Sequence, residues 1–452
     1  MSKPHILVIG AGAWGASTAV ALLKSGKYRV TLLDRAQVLP AEDAASTDIN
    51  KIIRFDYEDE VYAELAFTAL EAWRGKQWER MYFESGTVVV ARKDDTDRDL
   101  DKTIANVSRR CPEILTHSTA EEVQRALDPQ NKGVAGNMTG RRGYSNPWGG
   151  WANASKATGY LISQVAELGG EVITGAEASD WILEGGDVKG VRCADGREFQ
   201  ADKVIVASGA WSAGLMKDLL PEGLLENCGI TVAAFKLSEE EYARYKDIPV
   251  IMGWEETGFY SMPPTHERML KFGLVEAGYT TKSGFPRTTL SPGAVGWHKE
   301  HDASWLPQKS FDEMRAVVNI YYPEFKDRPF DYTRMCPIPA TYDDHFILDY
   351  TPQYPSLLIA SGGSHHSYKM MPIIGDLVRA RMEGTIDPKL AKLWAIRQPQ
   401  EMASQHLAKK VAERIDVENV VFVAKGQVPR AKAVEEDLAE KLEVSRSVAV
   451  VA

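Results

Sequence analysis

The first apolar run of the chain, Ile6–Ile9, is short and shows no helical period, the pattern of a strand buried on both faces. It breaks at Gly10-Ala-Gly12-Ala-Trp14-Gly15, and the alanine- and leucine-rich stretch Ala16–Lys24 then predicts a helix. A second apolar run, Val30–Leu33, ends on Asp34. Strand, glycine turn, helix, strand and terminal acid together make a β-α-β unit with a dinucleotide fingerprint. Gly10, Gly12 and Gly15 allow a tight turn and let a pyrophosphate approach backbone N–H groups at the helix N-terminus, while Asp34 accepts hydrogen bonds from a ribose. The pattern predicts a nucleotide site and does not separate FAD from NAD(P).

Further along, residues 36–50 are polar and small, the composition of a loop. In the stretch that follows, Lys51 and Arg54 flank an apolar pair at a spacing of i and i+3. Residues 59–80 place Val61, Leu65, Ala66, Leu70 and Trp73 at helical core spacing, and Gly86–Arg92 predicts a strand. Charged helices are expected at Asp95–Arg110 and Ala120–Leu127, then a glycine- and aromatic-rich loop at Gly143–Ala152 and a helix over 152–168. Short strands follow at Glu171–Thr174 and Val188–Arg192. The buried strand within Asp202–Ser212 ends in small residues, which leave room for backbone to pack against a cofactor.

Between about 216 and 332 the rhythm changes. Short strands (230–237, 249–252, 257–261, 269–275) alternate with polar turns and no β-α-β repeat, and a helix at Ser310–Tyr321 closes the region. This reads as a mostly antiparallel domain inserted into the nucleotide-binding one. Strands return at Arg334–Pro339, Phe346–Asp349 and Leu357–Ser361, followed by a helix at 376–383 and two amphipathic helices at 399–415 and 431–443.

Bulk composition narrows the classes. A chain of 452 residues exceeds one compact core, so two domains are expected. A net charge of −10 argues against nucleic acid as the main partner, and the lack of an eighteen-residue apolar run argues against a membrane span. The cysteines Cys111, Cys193, Cys228 and Cys336 form no C-x-x-C pair, which excludes a zinc ribbon, points to a reducing compartment and leaves no metal site expected. The N-terminus runs straight into the first strand without room for a signal peptide. The C-terminus, Val-Ala-Val-Val-Ala, is not a Ser-Lys-Leu address, so a cytoplasmic location is expected, with the peroxisome as the alternative. A monomer is expected.

Five spaced motifs act together: the glycine fingerprint; Asp48-Ile-Asn-Lys-Ile-Ile-Arg-Phe-Asp-Tyr57; Ala201-Asp-Lys-Val-Ile-Val-Ala-Ser-Gly-Ala-Trp211; Arg334-Met-Cys336 with Asp344-His-Phe-Ile-Leu-Asp349; and Gly362-Gly-Ser-His-His-Ser-Tyr-Lys369-Met-Met-Pro. On these the chain resembles the monomeric sarcosine oxidase family of FAD-dependent amine oxidases, with its amadoriase (fructosyl amino acid oxidase), saccharopine oxidase and pipecolate oxidase relatives. The resemblance covers residues 5–385. It implies an α/β, two-domain fold: a Rossmann-like FAD-binding domain of the glutathione-reductase type and an inserted, mostly antiparallel substrate domain whose sheet roofs the flavin. The boundaries expected are 1–85, 145–215 and 333–395 for the FAD domain, 86–144 and 216–332 for the substrate domain, and 396–452 for a helical extension.

The resemblance also assigns residues. Cys336 is expected to carry FAD covalently through its sulfur, and Lys271 to sit near flavin N5, where its charge serves oxygen activation. Arg54 and Lys369 match the pair that clamps a substrate carboxylate, two fixed cations from distant segments. Lys51 matches a basic position that contacts flavin and, in amadoriases, lies near substrate. Cofactor contacts are expected from Gly10, Gly12, Trp14, Gly15, Asp34, Ser46, Asn50, Lys51, Ser208, Gly209, Trp211, Cys336, Gly362, Gly363 and Lys369. His365 and His366 are expected to shape the pocket rather than act as bases.

The implied reaction oxidises the secondary amine of an N-substituted amino acid, with O2 as acceptor, H2O2 as product and an imine that hydrolyses. Saccharopine- or sarcosine-type substrates are favoured. Fructosyl amino acids are the alternative, and a biosynthetic oxidase whose imine cyclises is a third. Two other classes make different predictions: a dehydrogenase passing electrons to a quinone or protein, which would give little peroxide, and a flavin-binding protein without turnover, which no amine would bleach.

Overall fold

The computed structural model describes residues 2–93, 100–253, 258–275, 278–288, 295–298, 304–399 and 414–424. The N-terminal pattern folds as expected. Strand β1 (His5–Ile9) leads through the glycine turn into helix α1 (Ala13–Lys24) and back to strand β2 (Arg29–Leu33), which pairs parallel to β1. These two strands lie inside a six-stranded sheet in the order Ile347–Tyr350, Leu357–Ser361, Lys203–Val206, β1, β2 and Glu171–Ile173. Every pairing in it is parallel except the one between Ile347–Tyr350 and Leu357–Ser361. Nearly all its inward positions are buried apolar residues, as a sheet covered on both faces requires.

Helix α1 packs tightly on Met371–Glu383. Ser17 Oγ donates to Met371 O at 2.7 Å and accepts from Gly375 N at 3.0 Å. The second helix begins five residues earlier than the sequence suggests, because Pro372 lies in its first turn, where no N–H is needed.

The second large sheet runs Gly296–His298, Tyr332–Thr341, Leu225–Lys236, Met269–Leu274, Phe259–Ser261, Val250–Gly253, Thr87–Arg92, Arg141–Asn146 and Leu115–His117. It is antiparallel along this path except where Val250–Gly253 meets Thr87–Arg92. Side chains alternate between its faces with a period of two. Ala233, Phe235, Leu270, Phe272 and Met335 belong to one apolar core, which the helix Gln308–Tyr321 covers with Phe311, Met314 and Val318. On the other face, Ile230 stands opposite Cys336, Val232 opposite Arg334 and Ala234 opposite Lys271. Directly opposed residues share a face, so Lys271, Arg334 and Cys336 project to the same side.

Several expectations change. Gly143–Ala152 is not a loop: strands Arg141–Asn146 and Gly150–Ala152 occupy it. A Cβ on Gly143 would lie 2.1 Å from Val89 O, so that glycine admits the neighbouring strand's backbone rather than a turn. The predicted helix at 59–80 stops at Trp73 as α2 (Glu60–Trp73), before Gly75, and Lys76–Trp78 adds a 3-10 turn. Lys51–Ile53 forms a short strand, β3, beside Gly150–Ala152. Of the helix expected at Asp95–Arg110, Leu100–Ser108 is helical, and residues 95–99 lie outside the described residues. Nearly all of the helix expected at 399–415 and all of the one at 431–443 lie outside the described residues; the last residue of the first, Ile415, opens a short strand, Ile415–Asp416.

Candidate functional site

One cavity of about 670 Å³ opens between the two large sheets, within the size range of cofactor sites. Its first wall is the β1–α1 turn. Gly10 adopts φ +101°, and a Cβ on Gly15 would lie 1.7 Å from Gly10 O, so the turn tolerates no side chain there. Helix α1 has Gly12 at its N-cap, no side-chain cap and no acid in its first turn, which leaves its N-terminal dipole available to an anion. Asp34 fixes the turn: its Oδ2 accepts from Ala11 N at 2.7 Å and its Oδ1 from Ala36 N at 2.9 Å. Burial pushes its carboxyl pKa up against the lowering effect of those N–H bonds. Gly10, Gly12, Trp14 and Asp34 all line the cavity. Gly15 serves packing behind them.

Around the same space stand Ser46, Ser208, Gly209, Trp211 and Gly363. Ser208 and Ser212 share a hydroxyl bond at 3.0 Å, and Arg35 stacks over the Trp211 ring at 4.1 Å. Gly362 is not part of the cavity wall; its position abuts Thr341 and Ile347.

The roof is an ion cluster. Lys271 Nζ donates to Asp48 Oδ2 at 2.7 Å and to Asn50 O at 2.9 Å, and the Lys271 and Asp48 side chains are wholly buried. Lys51 Nζ meets the same Asp48 oxygen at 2.6 Å and lies 3.7 Å from Cys336 Sγ. Arg334 Nη1 stands 4.0 Å from Asp48 Oδ1 and also binds Thr47 O at 2.6 Å, while its Nη2 binds Ala44 O at 2.7 Å. The sheet face that carries Lys271, Arg334 and Cys336 therefore clamps the polar loop 43–50. Despite the cost of its burial, Asp48 is held well below the usual carboxylate range by Lys271, Lys51 and Arg334. Burial outweighs the pull of Asp48 on Lys271 and pushes the ammonium down to about 8. Lys271, Lys51 and Asn50 line the cavity, as do Pro337 and Ile338; Cys336 is buried and not part of the cavity wall, its sulfur in contact with Lys51.

The last wall holds Arg54 and Lys369. Lys369 Nζ donates to Tyr57 OH at 2.9 Å and to His366 O at 2.6 Å, and Trp73 Nε1 of α2 fixes its backbone by donating to Lys369 O at 2.7 Å. The Arg54 guanidinium donates to Asp56 O and lies 4.8 Å from the Tyr57 ring centroid. Burial, with the Arg54 charge nearby, pushes the Lys369 ammonium pKa well down. His366 Nδ1 pairs with Tyr57 OH at 3.0 Å and its Nε2 with Asp344 O at 2.8 Å, which fixes the ring in the wall.

The sequence reading passed over three contributors. Asp48 was legible as an acid three residues before Lys51, but nothing local reveals that Lys271 comes to it. Asp56 is buried and accepts from Tyr144 OH at 2.8 Å and from Asn146 Nδ2, tying the Arg54 segment to the large sheet. Tyr62 stacks on His345 and Tyr57, completing an aromatic wall.

FAD fits these walls. Both polar atoms of the Asn50 side chain are buried without a protein partner, the turn accepts a pyrophosphate, and Asp34 keeps lone pairs for a ribose. Among the described residues no cluster of metal-ligating side chains occurs, and no helix is long and apolar enough to cross a membrane.

Comparison with known proteins agrees with this architecture. The chain is 27% identical over 434 residues to L-saccharopine oxidase of Schizosaccharomyces pombe, covering 92% of this chain and 98% of that protein. It is 25% identical to monomeric sarcosine oxidase of Bacillus sp., over 82% of this chain and 90% of the other. The crystal structure of fructosamine oxidase (amadoriase II) from Aspergillus fumigatus superposes with a TM-score of 0.79 at 27% identity, covering 96% of this chain and 99% of that one. Residues 5–381 match the profile of the FAD-dependent oxidoreductase (DAO) family, and the chain belongs to that family.

Proposed function

We propose that the protein oxidises the secondary amine of N-substituted amino acids, releasing an imine that hydrolyses and passing electrons to O2 to give H2O2. The observation that carries this reading is the convergence of the dinucleotide turn, the Lys271 cluster and the Arg54–Lys369 pair on one cavity. The glycine turn and Asp34 would hold the adenosine diphosphate portion of FAD, with Ser46, Asn50, Ser208 and Trp211 along its length. FAD supplies a two-electron acceptor for the amine's C–H bond and a donor for oxygen. Arg54 and Lys369 bind and orient the substrate carboxylate, while the wall of Tyr57, Tyr62 and His366 excludes water around it. Lys271 presents positive charge in a site without competing solvent, where it acts most strongly on oxygen.

Cys336 is proposed as the covalent anchor of FAD, supported by its place on the cavity side of the sheet and by Lys51 beside its sulfur. Acid-precipitated protein should stay yellow, and free FAD in the supernatant would remove the tether. The name of the fission-yeast relative, over nearly its whole length, favours a saccharopine-type substrate. The similarity to amadoriase II supports fructosyl amino acids as the second reading. An anaerobic panel of N-methyl, N-carboxyalkyl and fructosyl amino acids, followed by loss of flavin absorbance, tests both. Bleaching by the N-carboxyalkyl group is expected, and indifference to all three would end the proposal.

A further inference from the structure

Three cations, Lys271, Lys51 and Arg334, meet at the cavity roof, and among the described residues one carboxylate pairs with the two lysines. Both oxygens of that carboxylate are engaged: its Oδ1 accepts from Ile49 N at 2.8 Å, and its Oδ2 receives both ammonium groups. An ammonium has three donors. Lys271 spends two of them, on Asp48 and on Asn50 O, which fixes its head group and leaves the third for the cavity it lines.

We propose that Asp48 is the positioning residue of the oxygen reaction, holding Lys271 and Lys51 in register and keeping Lys271 protonated beside the flavin. The inference rests on the reading of Lys271 as the cation that serves oxygen. Burial alone strips a lysine of its proton, and the ionised state survives only with an opposite charge in contact. Without Asp48, Lys271 would keep its bond to Asn50 O but, among the described residues, would face the like charge of Lys51, the sulfur of Cys336 and the ring of Tyr260 at 5.8 Å, with Arg334 and the Tyr368 hydroxyl near the vacated carboxylate. Burial already pushes the wild-type ammonium down to about 8, so little reserve remains. The sign follows: Lys271 is charged below its pKa, so reoxidation of reduced flavin slows as pH rises through it, and losing Asp48 moves that midpoint down.

The test uses flavin-loaded Asp48→Asn, Lys271→Met and the double variant. Each is reduced anaerobically and mixed with O2, and the oxidised protein's visible spectrum is titrated with pH. For Asp48→Asn, reoxidation at about pH 7 should be roughly ten- to hundredfold slower, with the kinetic and spectral midpoints about two to three pH units lower. The double variant should match Lys271→Met, since Asp48 acts through that lysine. Unchanged midpoints in Asp48→Asn, or additive losses in the double variant, would overturn the proposal. Normal reoxidation in Lys271→Met would instead overturn the reading of Lys271, and this inference with it. Should Asp48→Asn not fold, Asp48→Asn/Lys51→Met removes the anion together with one cation. Slow reoxidation with a lowered midpoint is then expected, and wild-type values would overturn the proposal.

Discussion

The glycine turn at Gly10–Gly15 and the ion cluster at Lys271 line one cavity, yet they are made of different material. The turn is built from contiguous residues and recognises through backbone: N–H groups, a helix dipole and the absence of side chains. The cluster takes its members from a loop, a short strand and two strands of the large sheet, and acts through buried side-chain charge. Backbone recognition needs space and tolerates no added atom. Charge recognition needs balance, so its cost depends on which partner is lost.

The comparison breaks first at the turn. Gly15→Ala places a methyl group inside van der Waals contact of Gly10 O, which should cost about 3 kcal/mol or more and leave purified protein without flavin. Absorbance at the flavin band and thermal melting check this, and retained cofactor would show that the turn yields.

Charge recognition should respond more gradually at the Arg54–Lys369 wall. Arg54→Ala removes one charge-assisted contact, worth about 1.5–3 kcal/mol, so KM for a carboxylate substrate should rise roughly ten- to hundredfold. An equal rise for an uncharged amine analogue would detach Arg54 from the carboxylate. The depressed pKa of Lys369 sharpens the same point. An arriving carboxylate favours the charged ammonium and raises that pKa, so binding takes up protons at pH values between the free and bound pKa, and affinity falls as pH rises through this window. Calorimetry of a carboxylate inhibitor in buffers of different ionisation enthalpy measures the uptake, and buffer-independent heats would contradict it.

The smallest effect is expected where charge meets water. Arg109 pairs with Glu60 on the surface, the two side chains 60% and 65% exposed, and Arg109→Ala should leave the melting temperature unchanged within error. A clear drop would mean that exposure does not separate this pair from the buried one.

The sequence by itself determined the β-α-β start and its dinucleotide chemistry, because every requirement there is local: period, glycine spacing and a terminal acid within thirty-odd residues. The basic pair at Lys51 and Arg54 was legible for the same reason. Gly143–Ala152 was misread because glycine marks a turn and a crowded strand with the same letter, and only the neighbouring backbone of Val89 tells them apart. Tertiary structure alone decided that Asp48 faces Lys271, 223 residues away, and that Asp56 is held by Tyr144. Pairing of buried charges is set by strand register across the large sheet, and register depends on contacts that no short stretch of chain contains.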